Sequence, residues 1–147
     1  MDVDFEFADP LNLDFRLQED SRFRNSAPDK SDRGVYAYAA NVFYVSPSGD
    51  DQADGLSMRK AWRTPERALK ALRPGDTLYL AEGEYAGGAW SRAGDGKAPI
   101  RVCGRGRGTV VIRGPMMVSG GAGLALERLA FAGGLGLSDC RDVVVNN

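Results

Sequence analysis

Three aspartates crowd one short stretch, Asp50, Asp51 and Asp54, within Ser46-Pro-Ser-Gly-Asp-Asp-Gln-Ala-Asp-Gly55. Carboxylates this close suit Ca²⁺, a hard cation that takes oxygen ligands, although the closing glutamate of an EF-hand loop is missing. The competing reading is an ordinary solvated turn. Asp139 and Asp142, three residues apart at a strand edge, are the other metal-ligand candidates, again with Ca²⁺ as the cation and an exposed turn pair as the rival reading. Near them stand Glu127 and the arginines Arg101, Arg105, Arg107, Arg113, Arg128 and Arg141, with no lysine beyond Lys97. Histidine is absent, which removes Ser-His and Cys-His catalysis and the usual zinc sites. The two cysteines, Cys103 and Cys140, are too few for an all-cysteine zinc site. They read as free, small core residues, with a disulfide between them as the alternative. Arg105-Gly-Arg107-Gly has the look of an RNA-binding Arg-Gly segment, but without interleaved aromatics it reads as a turn between strands. No position stands out as catalytic.

These residues must be held by something, and the composition says what kind of frame. A chain of 147 residues can bury one sizeable core. Fifteen of its 19 glycines fall between Gly83 and Gly136, separating short apolar runs, as many turns joining short strands would. Net charge is −1, so no global basic field favours nucleic acid. There is no apolar run of membrane-spanning length. The start, Met1-Asp-Val-Asp-Phe-Glu-Phe7, lacks the basic and apolar regions of a signal peptide.

Three regions follow along the chain. Residues 1–40 are acidic at first: seven acids against Arg16 alone in the first twenty. Val3, Phe5 and Phe7 alternate with acids, and Phe15 and Leu17 flank Arg16, a period of two that suits half-buried strands. The alternative is an acidic disordered tail. Asn25 to Gly34 reads as a loop, and Val35, Tyr36 and Tyr38 return to strand chemistry. In residues 41–99, Val42 to Val45 reads as a strand. The segment Thr64–Leu72 is the one helix, with Thr64 as cap, Pro65 at the first position, Glu66 at the positive end and Arg73-Pro74-Gly75 as the stop. Asp76 to Ala81 is another strand, closed by Glu82-Gly83-Glu84-Tyr85, and Trp90 to Pro99 reads as a polar, Gly-rich loop. In residues 100–147, short runs recur at Ile100–Val102, Thr109–Ile112, Met116–Val118, Leu124–Phe131, Leu135–Leu137 and Val143–Val145. Laying Leu124 and Leu126 over Val143 and Val145 gives an offset of 143 − 124 = 19 residues, near the size of a solenoid coil.

In order, Phe43-Tyr-Val-Ser-Pro-Ser-Gly-Asp50, Ala61-Trp-Arg-Thr-Pro65, Ala68-Leu-Lys-Ala-Leu-Arg-Pro-Gly-Asp-Thr-Leu-Tyr-Leu80 and Gly83-Glu-Tyr85 resemble the opening of pectate-lyase-like right-handed parallel β-helix proteins. Pro99-Ile-Arg-Val102, Gly108-Thr-Val-Val-Ile-Arg-Gly114 and Ser138 to Asn147 resemble their first coils. The resemblance implies a mainly β chain: the N-terminal portion of a right-handed parallel β-helix, with a cap at 41–99 carrying one short capping helix and the first coils at 100–147, truncated. Asn146 and Asn147 would then begin an asparagine ladder. Residues 1–40, through Asp14-Phe-Arg-Leu-Gln-Glu-Asp-Ser21 and Asp32-Arg-Gly-Val-Tyr-Ala-Tyr38, are similar to the closing segment of such a β-helix. The function implied is that of a fragment, inactive alone, of an exported polysaccharide-active protein, lyase- or epimerase-like, acting on acidic glycans at or outside the cell surface as a monomer. Such lyases need a base and a cation to stabilise the enolate, and the lysine base of one related family has no counterpart in these coils. The alternative is a non-catalytic surface or adhesion β-helix that binds glycans or acts as a spacer.

Overall fold

The structure, a computed structural model, describes residues 6–12, 14–28, 41–91 and 95–146. Val3, Phe5, Val35, Tyr36, Tyr38, Asn147 and the larger part of the expected Asn25–Gly34 loop lie outside them. Within the described residues the chain is mainly β with one α-helix.

The acidic N-terminal region contributes a small antiparallel hairpin, β1 (Phe7–Asp9) with β2 (Asp14–Leu17). Among the described residues every other strand pairing is parallel. The strands are β3 (Val42–Val45), β4 (Thr77–Leu80), β5 (Gly83–Trp90), β6 (Asp95–Gly104), β7 (Val110–Glu127), β8 (Ala130–Phe131) and β9 (Leu135–Asn146). A first ladder stacks Val42 on Thr77, Arg101, Ala125 and Val144, one from each successive rung. A second stacks Glu84, Val111 and Ala130, and a third stacks Trp90, Val118 and Leu137. The expected 19-residue offset is present in the last step, where Leu124 pairs with Val143 and Leu126 with Val145. The long β7 passes through all three ladders by bending at glycines held at positive φ, Gly114 (83°) and Gly120 (69°) among them, where an L side chain would be strained.

The core follows from alternation. One face of each rung turns Val45, Leu78, Leu80, Ile100, Val102, Leu124 and Leu126 into a single cluster with Trp62, Ile112 and Val118. Helix α1 (Pro65–Ala71) lies against this cluster through Ala68 and Leu69, with Leu72 just past its end. Thr64 caps it, accepting a hydrogen bond from the Arg67 N–H. Burying Leu69 and Leu72 contributes at most about 3–6 kcal/mol, which is why seven residues hold a helix that would not form alone.

One expectation is corrected. The Gly- and Ala-rich stretch entering and leaving the supposed loop at Trp90–Pro99 is extended: β5 continues through Trp90, and β6 begins at Asp95. Gly83–Trp90 gains main-chain partners along β7, and Asp95 pairs with Ala122. Ladder hydrogen bonding outweighs weak local strand preference.

Candidate functional site

Residues of opposite parity to the core point out of the first ladder. Rung by rung they are Val42 and Tyr44, Thr77 and Tyr79, Arg101 and Cys103, then Ala125 and Glu127. Tyr44, Tyr79 and Cys103 join Val42 and Ala61 in a second buried cluster, separate from the interior core. That burial on an outward face needs a cover, and the cover is the N-terminal hairpin. Ala8, fully buried, belongs to the same cluster.

The contacts between hairpin and face are polar and converge on carboxylates. The Tyr79 hydroxyl donates to Asp14 Oδ2 at 2.8 Å, and Arg16 donates to both Asp14 oxygens at 2.8 and 2.6 Å. The Arg128 guanidinium reaches Asp9 Oδ2 at 3.3 Å and also donates to the Gly104 carbonyl at 2.8 Å. Arg105 donates to the main-chain carbonyls of Ala8 (2.6 Å) and Phe7 (3.5 Å). One nitrogen of Arg101 lies 3.0 Å from each oxygen of Glu127, and the Cys103 thiol donates to Glu127 at 3.6 Å. Lower down, Gln18 accepts from the Met58 N–H and Asp20 from the Ser57 hydroxyl.

The electrostatics follow from this geometry. Burial works to raise the Asp14 carboxyl, but hydrogen bonds from Arg16 and Tyr79 outweigh it and hold it below the usual carboxylate range. Burial pushes the Tyr79 phenol up, as does its hydrogen bond to Asp14. Burial, reinforced by Glu127, pushes the Cys103 thiol up to about 12, so it is no nucleophile while covered. Tyr44 is fully buried and its hydroxyl has no hydrogen-bond partner among the described residues; burial pushes this phenol up as well.

A second concavity, about 480 Å³, lies between α1 and β5, whose opposite edge faces no strand among the described residues. Its charged groups pair locally, Glu66 with Lys70 at 2.6 Å and Glu84 with Arg113. The outer face of the first ladder is the richer site, because there guanidinium, phenol and carboxylate groups from five segments meet.

Of the residues singled out from sequence, the Asp50–Asp54 group is turn chemistry. Asp50 accepts from the Gln52 N–H at 2.9 Å, and Asp54 accepts from the Leu56 N–H at 3.0 Å and pairs with Lys60. Asp51 accepts from the Arg63 N–H (2.8 Å), the Thr64 N–H (2.9 Å) and the Thr64 hydroxyl (2.9 Å), tying this turn to the start of α1. Asp139 and Asp142 are exposed, each at a left-handed backbone position with φ 53°, and the Asp139 carboxylate accepts from Ser138. No group of three or more potential metal ligands occurs among the described residues. Cys103 and Cys140 are both free thiols; Cys103 is buried but Cys140 only half so. The Arg105–Gly108 segment is a turn as read, its Arg107 and Gly108 N–H groups bonding Glu82 at 2.8 and 2.7 Å. Asn146 stands in register with Glu127 of the neighbouring rung. Missed from sequence were Tyr79, Arg105 and Arg128 as partners of the N-terminal region.

No family model matches the chain, and neither curated proteins nor solved structures yield a match.

Proposed function

We propose that the chain forms the cap and first coils of a right-handed parallel β-helix in an exported, polysaccharide-active protein, and that the outer face of its first ladder binds acidic glycans. Support for the coil comes from the rung spacing: 101 − 77 = 24, 125 − 101 = 24 and 144 − 125 = 19 residues between paired positions. Each step returns to the same ladder after visiting the other two. Val145 continues the inward column over Leu126.

The observation that carries the glycan reading is the chemistry of the outer face. Arg128 and Tyr79 already hold carboxylates there, Asp9 and Asp14. Guanidinium is the side chain best suited to a planar carboxylate. Arg105 and Arg128, each just past the end of a rung, both reach β1, so two guanidiniums stand where the hairpin is held. The geometry favours binding over bond cleavage. Glu127 is paired with Arg101 rather than poised as a base. That same observation favours the second reading, a non-catalytic glycan-binding surface protein.

The test is affinity electrophoresis of the folded chain in gels containing polygalacturonate, alginate or neutral dextran, with ultraviolet absorbance followed for unsaturated uronate. We expect retardation by the two acidic polymers that weakens with salt, none by dextran, and no absorbance rise. Equal mobility in all gels sinks the glycan reading; unsaturated product places catalysis within these residues.

A further inference from the structure

The hairpin itself is the most unusual part of the outer face. It forms a two-stranded sheet of its own, β1 with β2, and does not join the parallel ladders. Among the described residues, no backbone–backbone hydrogen bond links residues 6–28 to residues 41–146. Its attachment runs through side chains: Asp9 to Arg128, Asp14 to Tyr79, Arg105 to two hairpin carbonyls, Gln18 and Asp20 to the turn at Ser57 and Met58. A segment belonging to the ladder would share its main-chain hydrogen bonds. This one is seated as a ligand would be, with Asp9 on the Arg128 guanidinium and Asp14, which Arg16 of the hairpin also holds, on the Tyr79 hydroxyl.

We infer that the Phe7–Leu17 hairpin is an internal ligand for the outer face, with the Asp9 and Asp14 carboxylates in the places of uronate carboxylates, so that an acidic glycan binds by displacing it. This rests on the glycan reading of the face and adds a competitor to it. With the hairpin seated, Ala8 is fully buried and Cys103 beneath it is 1% exposed. An external polymer therefore meets Tyr79 and Cys103 only after the hairpin lifts. Its apparent affinity is lowered by the fraction of molecules in which the face is closed.

Cys103 supplies the reporter. It points out of the first ladder into the cluster that contains Ala8, so thiol-reactive dye reaches it when the hairpin leaves. The experiment uses the full chain carrying Cys140→Ser, which leaves Cys103 as the only thiol. Labelling is followed with and without oligogalacturonate, and again after adding Asp9→Asn and Asp14→Asn, with circular dichroism confirming the fold of each variant. The two amides keep shape and remove the charge of the contacts. We expect slow labelling of the parent, and acceleration by about tenfold in the Asn variant as charge-assisted bonds are lost. We also expect acceleration of the parent by saturating oligogalacturonate but not by a neutral oligosaccharide, and tighter oligogalacturonate binding by the Asn variant than by the parent.

The possible failures separate. Oligogalacturonate that binds, by calorimetry, without changing Cys103 labelling overturns the displacement while leaving glycan binding intact. Fast labelling of the Asn variant with no binding at all overturns the glycan reading, and the ligand role of the hairpin with it. Unchanged slow labelling in a folded Asn variant shows that the two carboxylates do not hold the hairpin, and overturns the inference at its base.

Discussion

Replacing Asp51 by Ala removes a carboxylate that gathers three donors: the Arg63 and Thr64 N–H groups and the Thr64 hydroxyl, all within 2.9 Å. These fix the residue that caps α1, and α1 covers the interior core through Ala68 and Leu69. Each hydrogen bond to a charged group contributes about 1.5–3 kcal/mol when shielded, and water replaces part of it at a site this near the surface. A loss of about 2 kcal/mol is the reasonable sum, or about 5 °C in Tm for a chain of this size. Thermal unfolding by circular dichroism at pH 7 gives the difference, with Asp51→Asn as an intermediate variant. The pH dependence has a definite sign. Desolvation raises the Asp51 carboxyl, but the Thr64 and Arg63 donors outweigh it and leave it lowered. Its contribution is therefore complete above the unfolded value of about 3.9 and disappears as pH falls through the lower folded value. The gap between parent and Ala variant should close in strong acid. With the carboxylates engaged in this way, millimolar Ca²⁺ or chelator should leave the parent Tm unchanged. A Ca²⁺-dependent rise in Tm that vanishes in Asp51→Ala would refute the capping argument and restore the cation reading of the Asp50–Asp54 turn.

Other outcomes follow from the packing. Leu126→Ala, in the inward column and 2% exposed, should cost about 2–5 kcal/mol in urea unfolding, because neighbouring rungs limit collapse into the void. Gly49→Ala should destabilise strongly, since its new Cβ would sit 2.2 Å from the Trp62 carbonyl oxygen, whereas Gly88→Ala meets nothing within 4 Å and should be near neutral in the same assay. Tyr79→Phe removes a donor from Asp14, so the carboxyl should titrate higher by NMR than in the parent.

The fold was legible where apolar alternation is strict and the turn chemistry explicit. Thr64-Pro65-Glu66 announces the cap of α1 from local residues alone. Leu124, Leu126, Val143 and Val145 announce a stacking offset because the inward column admits little but aliphatic side chains. The 24-residue step was harder to see, since Gly104 takes an apolar rung position opposite Leu80 and hides the repeat. β5 is not legible as a strand, because Glu82-Gly83-Glu84-Tyr85 reads as the close of the strand before it and Ala86-Gly-Gly-Ala89 has no strand preference of its own; its conformation comes from pairing with β7. The outer face was out of reach for a different reason. Arg105 meets Ala8 across 97 positions and Arg128 meets Asp9 across 119, distances over which no local pattern operates. The one available signal was parity: on rungs whose even positions face inward, Arg101, Cys103 and Glu127 must face out together.

On the proposed glycan reading, the burial of Asp9 explains why exchange on this face is physically reasonable. Asp9 keeps a side chain only 1% exposed, and a buried carboxylate is tolerated only when paired. Lifting the hairpin into water returns that solvation, but it leaves the cluster around Tyr79 and Cys103 exposed and Arg128 without its acid. Water alone is a poor replacement for both losses. A polymer that brings carboxylates and a partly apolar ring surface to the same positions repays both, so one desolvated ion pair is traded for another and the net cost is small. A neutral polymer covers the apolar part but leaves the guanidinium unpaired, and a small anion does the reverse. On the proposed glycan reading, the face should therefore discriminate by the combination, carboxylate with an attached ring, which is the chemistry of a uronate and of which the hairpin's Asp9 and Asp14 supply only the carboxylates.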